Sequence, residues 1–279
     1  MQNKQIHKFM KEKSFVASKK MGQNFLSSLP IKKRIVDSAK LKKNDFVLEI
    51  GPGLGAITEI LLSNPIKLLA VELDKRLFDH LTQKFASYEN FSIVNNDVLK
   101  EDLQSIIEQK SSGKNAIVVA NLPYSISSKI VLKLMKTINV ERCIIMVQKE
   151  MAERLAAKVN TKDYNAFTAL VSLYLDVNYL FTVGPKNFVP APKVDSAVIE
   201  LTRINNNDVS LDKIKEYEIF FRQCFQNKRK TLVNNLQSIY DKQKVQEILL
   251  KMNLSPTIRA EAISAKILVE VYNNLNNES

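Results

Sequence analysis

VLEIGPGLGAITEIL, residues 47–61, begins as an apolar run with a single acid, breaks at three alternating glycines, and resumes with apolar residues at helical spacing. It predicts a short buried strand, a tight turn and a helix. Gly51, Gly53 and Gly55 stand where missing side chains let backbone N–H groups and a helix N-terminus approach a ligand closely. The spacing is G-x-G-x-G, not the dinucleotide fingerprint G-x-G-x-x-G, which disfavours a nicotinamide cofactor. A ligand-free turn stays open as a reading of this segment alone.

The surrounding sequence repeats the pattern. KLLAVELD, FSIVNND, AIVVANLPY and RCIIMVQ read as further strands, with KRLFDHLTQKFASY and KIVLKLMKTI as helices between them. Strands alternating with helices of about ten residues imply parallel pairing through crossovers, hence an α/β fold. KEMAERLAAKV and AFTALVSLYL read as helices, and VNYLFTVG and VDSAVIELTRI as strands flanking the Pro-rich PKNFVPAPK. Pro185, Pro190 and Pro192 predict a stiff, outward-pointing loop, with Phe188 outside the core. From residue 209 onward only helical patterns follow. The expected organisation is a basic N-terminal arm over 1–20, a catalytic domain over 21–205 and a helical domain over 206–279, with the boundary near Asn205 to Asp208.

Glu72 ends the second strand about twenty residues after the glycines, where an acid accepts hydrogen bonds from both hydroxyls of a ribose. Asp97 ends the third strand at the same sheet edge, placed to receive an adenine amino group. Either acid alone also reads as a solvated strand end, but Gly, Glu and Asp at three successive strand ends make a nucleoside-shaped site. The fourth strand runs into NLPY. Asn121 emerges beside the cofactor, Pro123 fixes a turn, and Tyr124 projects into the adjoining cleft. An amide that accepts from an exocyclic amine, next to a ring that stacks on a base, is how enzymes hold a nucleobase removed from its stack. The exocyclic nitrogen of adenine is a poor nucleophile because its lone pair is delocalised into the ring. It needs acceptors that draw its hydrogens out of the ring plane and alignment with an electrophilic methyl, not a strong base. The Asn121 side-chain oxygen and the Leu122 carbonyl are the expected acceptors, with Tyr124 and Phe188 sandwiching the base.

The chain has 279 residues, 45% hydrophobic and 25% charged, enough for one large domain and one small one. The net charge of +12 favours a polyanionic partner, although a solvated basic surface has the same composition. Lys4, Lys8, Lys11, Lys13, Lys19 and Lys20 against Glu12 read as a mobile basic arm. Nothing approaches the roughly 18 uninterrupted apolar residues of a membrane span, and the first residues lack a secretory apolar core, so a cytoplasmic protein is expected. Cys143 and Cys224, with His7 and His80 as the only histidines, lack metal-ligand spacing, so no metal is expected.

With these motifs in view, the sequence resembles the small-subunit (16S) ribosomal RNA adenine-N6,N6-dimethyltransferases of the KsgA type. The resemblance is carried in order by GQNFL (22–26), EIGPGLG (49–55), VELD (71–74), NLPYSIS (121–127), VQKEMAERL (147–155), FVPAPKVDSAV (188–198) and FRQCFQNKRKTL (221–232). It implies a Rossmann-like class I methyltransferase sheet using S-adenosyl-L-methionine, with a small C-terminal all-helical domain that helps grip RNA. Such enzymes dimethylate N6 of two adjacent adenines in the 3'-terminal hairpin of small-subunit rRNA in the pre-30S particle, late in ribosome biogenesis. Carried over to this chain, Asn24 and Leu26 touch the methionine side of the cofactor, and Gly51 and Gly53 lie against it. Glu72 binds the ribose, Asp97 and Val98 the adenine, and Asn121 bridges cofactor and target base. Arg222, Lys228, Arg229 and Lys230, in an expected helical stretch whose Phe220, Phe221, Phe225 and Leu232 pack inward, contact phosphates. A monomer is implied. The chain departs from the family at YNAFTA (164–169), where members carry Tyr-Gly-Arg-Leu-Ser, leaving that segment's part in RNA contact open. A large-subunit adenine methyltransferase of the resistance class, a binding-only assembly factor and a DNA adenine methyltransferase are the competing readings.

Overall fold

The computed structural model describes residues 3–18, 21–204 and 209–277. Lys19, Lys20 and the expected boundary at 205–208 therefore lie outside the described residues. The first described residues correct the reading of a mobile arm, because they form helix α1 (Asn3–Glu12). Ile6, Phe9 and Met10 share one face at helical spacing. Ile6 is fully buried in a cluster with Phe15, Phe25, Leu54, Leu77 and Val189, and Phe9 and Met10 pack against it. The lysine count drew attention away from those three apolar positions.

β1 (Phe25–Leu26) leads to α2 (Leu29–Ser38), which has Pro30 in its first turn, where a missing N–H costs nothing. β2 (Phe46–Ile50) enters the glycine turn and the short α3 (Thr58–Leu61). β3 (Lys67–Glu72) is followed by α4 (Lys75–Lys84), capped by Asp74, which accepts from the Arg76 N–H at 3.0 Å. β4 (Phe91–Asn95) precedes α5 (Leu103–Lys110), a helix the sequence pattern did not reveal, capped by Asp102. β5 (Ala116–Asn121), α6 (Ser127–Lys136), β6 (Val140–Gln148) and α7 (Lys149–Leu155) follow. α8 (Ala166–Ser172), β7 (Leu175–Val183), β8 (Phe188–Val189) and β9 (Ser196–Arg203) complete the first 204 residues.

Seven strands form one sheet in the order β4-β3-β2-β5-β6-β9-β7. β4, β3, β2, β5 and β6 are parallel, and β9 runs antiparallel to β6. The order reverses at β2, with β3 on one side and β5 on the other, the crevice where open α/β sheets bind ligands at their carboxyl ends. Register aligns those ends: Ile50 pairs with Val71 and Ala120, and Glu72 with Asn95. The glycine turn, Glu72, Asp97 and Asn121 therefore share one edge. β1 and β8 form a separate two-stranded ladder, Phe25 opposite Val189 and Leu26 opposite Phe188.

Two compact units result. The first holds the described residues up to Ala152 together with Asn178–Arg203, and the second holds Glu153–Val177 and the described residues from Ile204 on. Residues 153–177, expected in the catalytic domain, thus belong with the C-terminal helices. The reason is α8, whose Thr168, Ala169, Leu170 and Val171 are buried and which packs on α9 (Ile214–Cys224). Asn165, in the departing YNAFTA segment, caps α8 by accepting from the Phe167 and Thr168 N–H groups. α10 (Leu232–Leu236), α11 (Lys242–Lys251) and α12 (Ala265–Asn277) complete the second unit. Its core joins Tyr217, Phe220, Phe221 and Tyr272 in mutual ring contact.

Candidate active site

A cavity of about 410 Å³ opens at the carboxyl edge of the sheet, lined by the glycine turn, the ends of β3 and β5 and residues 21–26. That size suits a small-molecule ligand. Gly51 takes φ +66°, and a side-chain carbon built there would meet nothing within 4 Å, so the turn leaves open space at its first glycine. Gly55 differs. A carbon there would lie 2.8 Å from Leu81 and Phe85, so this glycine serves the packing of α4 and not a ligand.

Glu72 is 6% exposed and ties the glycine turn to the start of α4: one oxygen accepts from the Gly53 N–H at 3.1 Å, the other from the Asp74 N–H at 2.8 Å. Each carboxylate oxygen has a second acceptor site, so a diol in the cavity adds to these bonds without displacing them. Burial pushes its carboxyl above the ordinary range. Asp97 is half-buried and accepts from the Leu99 N–H at 2.9 Å, which fixes the carboxylate at the cavity wall. The buried Val98 stands next to it on the same wall.

Asn24 and Asn121 are joined. The Asn121 Nδ2 donates to the Asn24 carbonyl at 3.1 Å, and the Asn24 Nδ2 donates to the Gly22 carbonyl at 3.2 Å. With its amino group engaged by the backbone, Asn121 keeps its side-chain oxygen as an acceptor at the cavity wall. Leu122 is buried and donates its N–H to the Met146 carbonyl at 3.0 Å. Pro123 closes a turn through its own carbonyl to the Ile126 N–H at 3.2 Å. The Tyr124 hydroxyl bonds the Ser196 hydroxyl at 2.6 Å, which sets the plane of its ring. Leu26 is buried in β1 and lines the cavity.

Phe188 requires a correction. It is 3% exposed, sits in β8 opposite Leu26 and belongs to the hydrophobic core, away from the cavity walls. The prolines around it do stiffen the segment, but the β1 ladder draws that segment inward. Of the two rings expected to sandwich a base, Tyr124 lines the cavity and Phe188 does not.

Three contributors escaped the reading of the sequence. Glu49, 2% exposed, lines the cavity and accepts from the Thr58 hydroxyl at 2.7 Å; burial pushes its carboxyl up to about 8. It lies within the first stretch quoted, and its single charge in an apolar strand was the available signal. Asp74 fastens residues 21–24 by accepting from the Gln23 Nε2 at 3.0 Å while also holding Arg76, which keeps its carboxyl below the ordinary range. Ile6 of α1 also forms part of the cavity wall. No cluster of three or more metal-ligating side chains occurs among the described residues.

In the second unit, Arg222, Lys228, Arg229 and Lys230 are exposed. Arg222 lies in the last turn of α9 and pairs with Glu218 at 2.7 Å, but the other three sit in a turn, not in the expected helix. Buried Asn235 holds that turn, donating to the Cys224 and Asn227 carbonyls and accepting from the Asn227 N–H. Thr231 then caps α10.

The family model described as ribosomal RNA adenine dimethylase matches residues 14–277. A Ureaplasma urealyticum protein named ribosomal RNA small subunit methyltransferase A is 52% identical over 96% of this chain and 95% of its own. A Clostridium acetobutylicum protein of the same name is 41% identical over 81% of each. The crystal structure of a dimethyladenosine transferase from Plasmodium falciparum superposes with a TM-score of 0.78 at 26% identity, covering 91% of this chain and 98% of that one. The 23S rRNA methyltransferase ErmE shares the fold, with a TM-score of 0.68 at 24% identity over 91% of this chain and all of that one.

Proposed function

The chain belongs to the ribosomal RNA adenine dimethylase family, and from that premise we propose that it dimethylates N6 of two adjacent adenines in the 3'-terminal hairpin of small-subunit rRNA. The acceptor on this reading is the pre-30S particle, and the enzyme works as a cytoplasmic monomer late in ribosome biogenesis. The cofactor is S-adenosylmethionine, whose sulfonium supplies an electrophilic methyl group.

The residues present fit that cofactor. Gly51 leaves room for close approach, Glu72 offers free lone pairs to a ribose, and Asp97 with Val98 combines an acceptor with an apolar wall for adenine. Asn24 and Leu26 border the remaining side of the cavity. The target adenine enters beside Asn121. Its oxygen and the Leu122 carbonyl accept the two N6 hydrogens, which localises the nitrogen lone pair for attack. Tyr124 stacks on the base, held in orientation by Ser196. Once alkylated the nitrogen is strongly acidic, so its proton departs without a dedicated base, consistent with a cavity lined by no histidine.

The observation that carries this reading is the bond from the Asn121 amino group to the Asn24 carbonyl, since it supports an acceptor aimed at the substrate. Replacing Asn121 with Ala should lower turnover by about 10²–10³, the usual effect of losing one such polar group, with RNA affinity nearly unchanged. Normal turnover in that variant would defeat the role given to Asn121. The function is tested by transfer of labelled methyl from S-adenosylmethionine to small subunits lacking the modification, with large-subunit RNA and DNA as parallel acceptors. Label appearing as N6,N6-dimethyladenosine in small-subunit RNA alone is expected. Label in large-subunit RNA or DNA moves the enzyme to a different substrate class, and tight binding with no label makes it an assembly factor.

A further inference from the structure

The two faces of α1 differ sharply. Ile6, Phe9 and Met10 point into the molecule, whereas Lys4, Lys8 and Lys11 form an exposed stripe along the opposite side, with Glu12 facing Lys8 at 3.7 Å. The buried face is joined to the cofactor cavity, since Ile6 forms part of its wall and packs against Leu54 of the glycine turn and Leu77 of α4. The seam is finished by rings: Phe9 lies 4.6 Å from His80, and the Arg76 guanidinium sits 4.5 Å over Phe15.

A ten-residue helix is marginal on its own in water, so α1 persists only while its apolar face is docked. Its docking and the closure of the cavity are therefore one event. The outer stripe adds a second influence. Three lysines on the solvent side of a cavity wall attract any polyanion laid across them, and a bound polyanion favours the docked state over the open one.

We propose that α1 is a releasable cap on the cofactor cavity, closed by Ile6 and held shut by ribosomal RNA phosphates on Lys4, Lys8 and Lys11. The proposal rests on the cofactor assignment made above and adds to it a coupling between the two substrates. RNA retains the cofactor, and by reciprocity the cofactor strengthens the grip of α1 on RNA. Spent cofactor leaves only when the cap opens, so each successive methyl requires RNA to loosen from α1.

The test measures dissociation of S-adenosylmethionine from the full-length chain, with and without a synthetic RNA hairpin carrying two adjacent loop adenines. For the parent chain, RNA should slow dissociation about tenfold, within the usual range for coupled sites. In the Lys4→Gln/Lys8→Gln/Lys11→Gln variant, dissociation without RNA should match the parent and the slowing by RNA should largely vanish. Ile6→Ser should accelerate dissociation in both conditions, and thermal unfolding of each variant checks that the fold persists. An unchanged rate on adding RNA to the parent chain overturns the proposal, as does full slowing in the lysine variant, which would mean the docked RNA blocks the exit by itself. Failure of the parent chain to bind S-adenosylmethionine at all is a different outcome, and it removes the functional reading on which the proposal rests.

Discussion

Glu49 turns burial at the edge of the cavity into a dependence on pH. Its carboxyl titrates near 8 in the folded chain against an ordinary 4.5. Between those values the unfolded chain has released the proton and the folded one still holds it, so stability declines as pH rises from 4.5 towards 8. The decline should be on the order of a few kcal/mol across that window. Glu49→Gln should flatten it and raise stability at pH 8, as read from denaturant unfolding at pH 5 and pH 8; an equally steep decline in the variant would refute the assignment. A charge inside the run FVLEI hinted at this role. Nothing in the one-dimensional pattern revealed that Thr58 would bond it or that its neighbour in the cavity would be Glu72, because both are brought there by the fold.

The glycine turn divides its work between binding and packing, and two substitutions should separate the parts. Gly51→Ala adds a carbon in open space at φ +66°, so stability should fall only by about 1 kcal/mol, while cofactor affinity drops because the added carbon occupies the ligand's approach. Gly55→Ala places a carbon 2.8 Å from Leu81 and Phe85 at φ +75°. It should lower stability by about 2–4 kcal/mol, with the effect on affinity secondary. Thermal melts and calorimetric titration check the pair, and equal affinity losses with equal melts would erase the distinction. Alternating strands and helices were legible because a parallel sheet imposes apolar runs at regular intervals. α1 was not, since three apolar positions are hidden among lysines, and α5 was not, since its signal is a cap and little else. Phe188 was misread because proline content describes stiffness but not which neighbour a stiff segment finds; its ladder with Leu26 bridges more than 160 residues of sequence.

At the scale of the molecule, charge and connectivity set the remaining expectations. Arg229 and Lys230 are exposed in a turn that Asn235 holds from below. Replacing both with Gln should weaken RNA binding and reduce the slope of log affinity against log salt by about 1–2, with methyl transfer per bound RNA unchanged. Unaltered salt dependence in filter-binding assays would remove them from the interface. The change of pattern near Asn205 to Asp208 lies outside the described residues, and the return of 153–177 to the C-terminal unit was not legible, since α8 reads as one more helix of the alternating series. The strand order has a further implication for synthesis. β7 leaves the ribosome before β9, yet in the sheet β9 lies between β7 and β6. A nascent chain that has reached Val183 therefore carries a strand with no neighbour to pair with, and its sheet cannot close until Arg203 has emerged. Chaperones that act on growing chains should find this protein most exposed within that interval, which suggests that pausing translation there would be the surest way to make it aggregate.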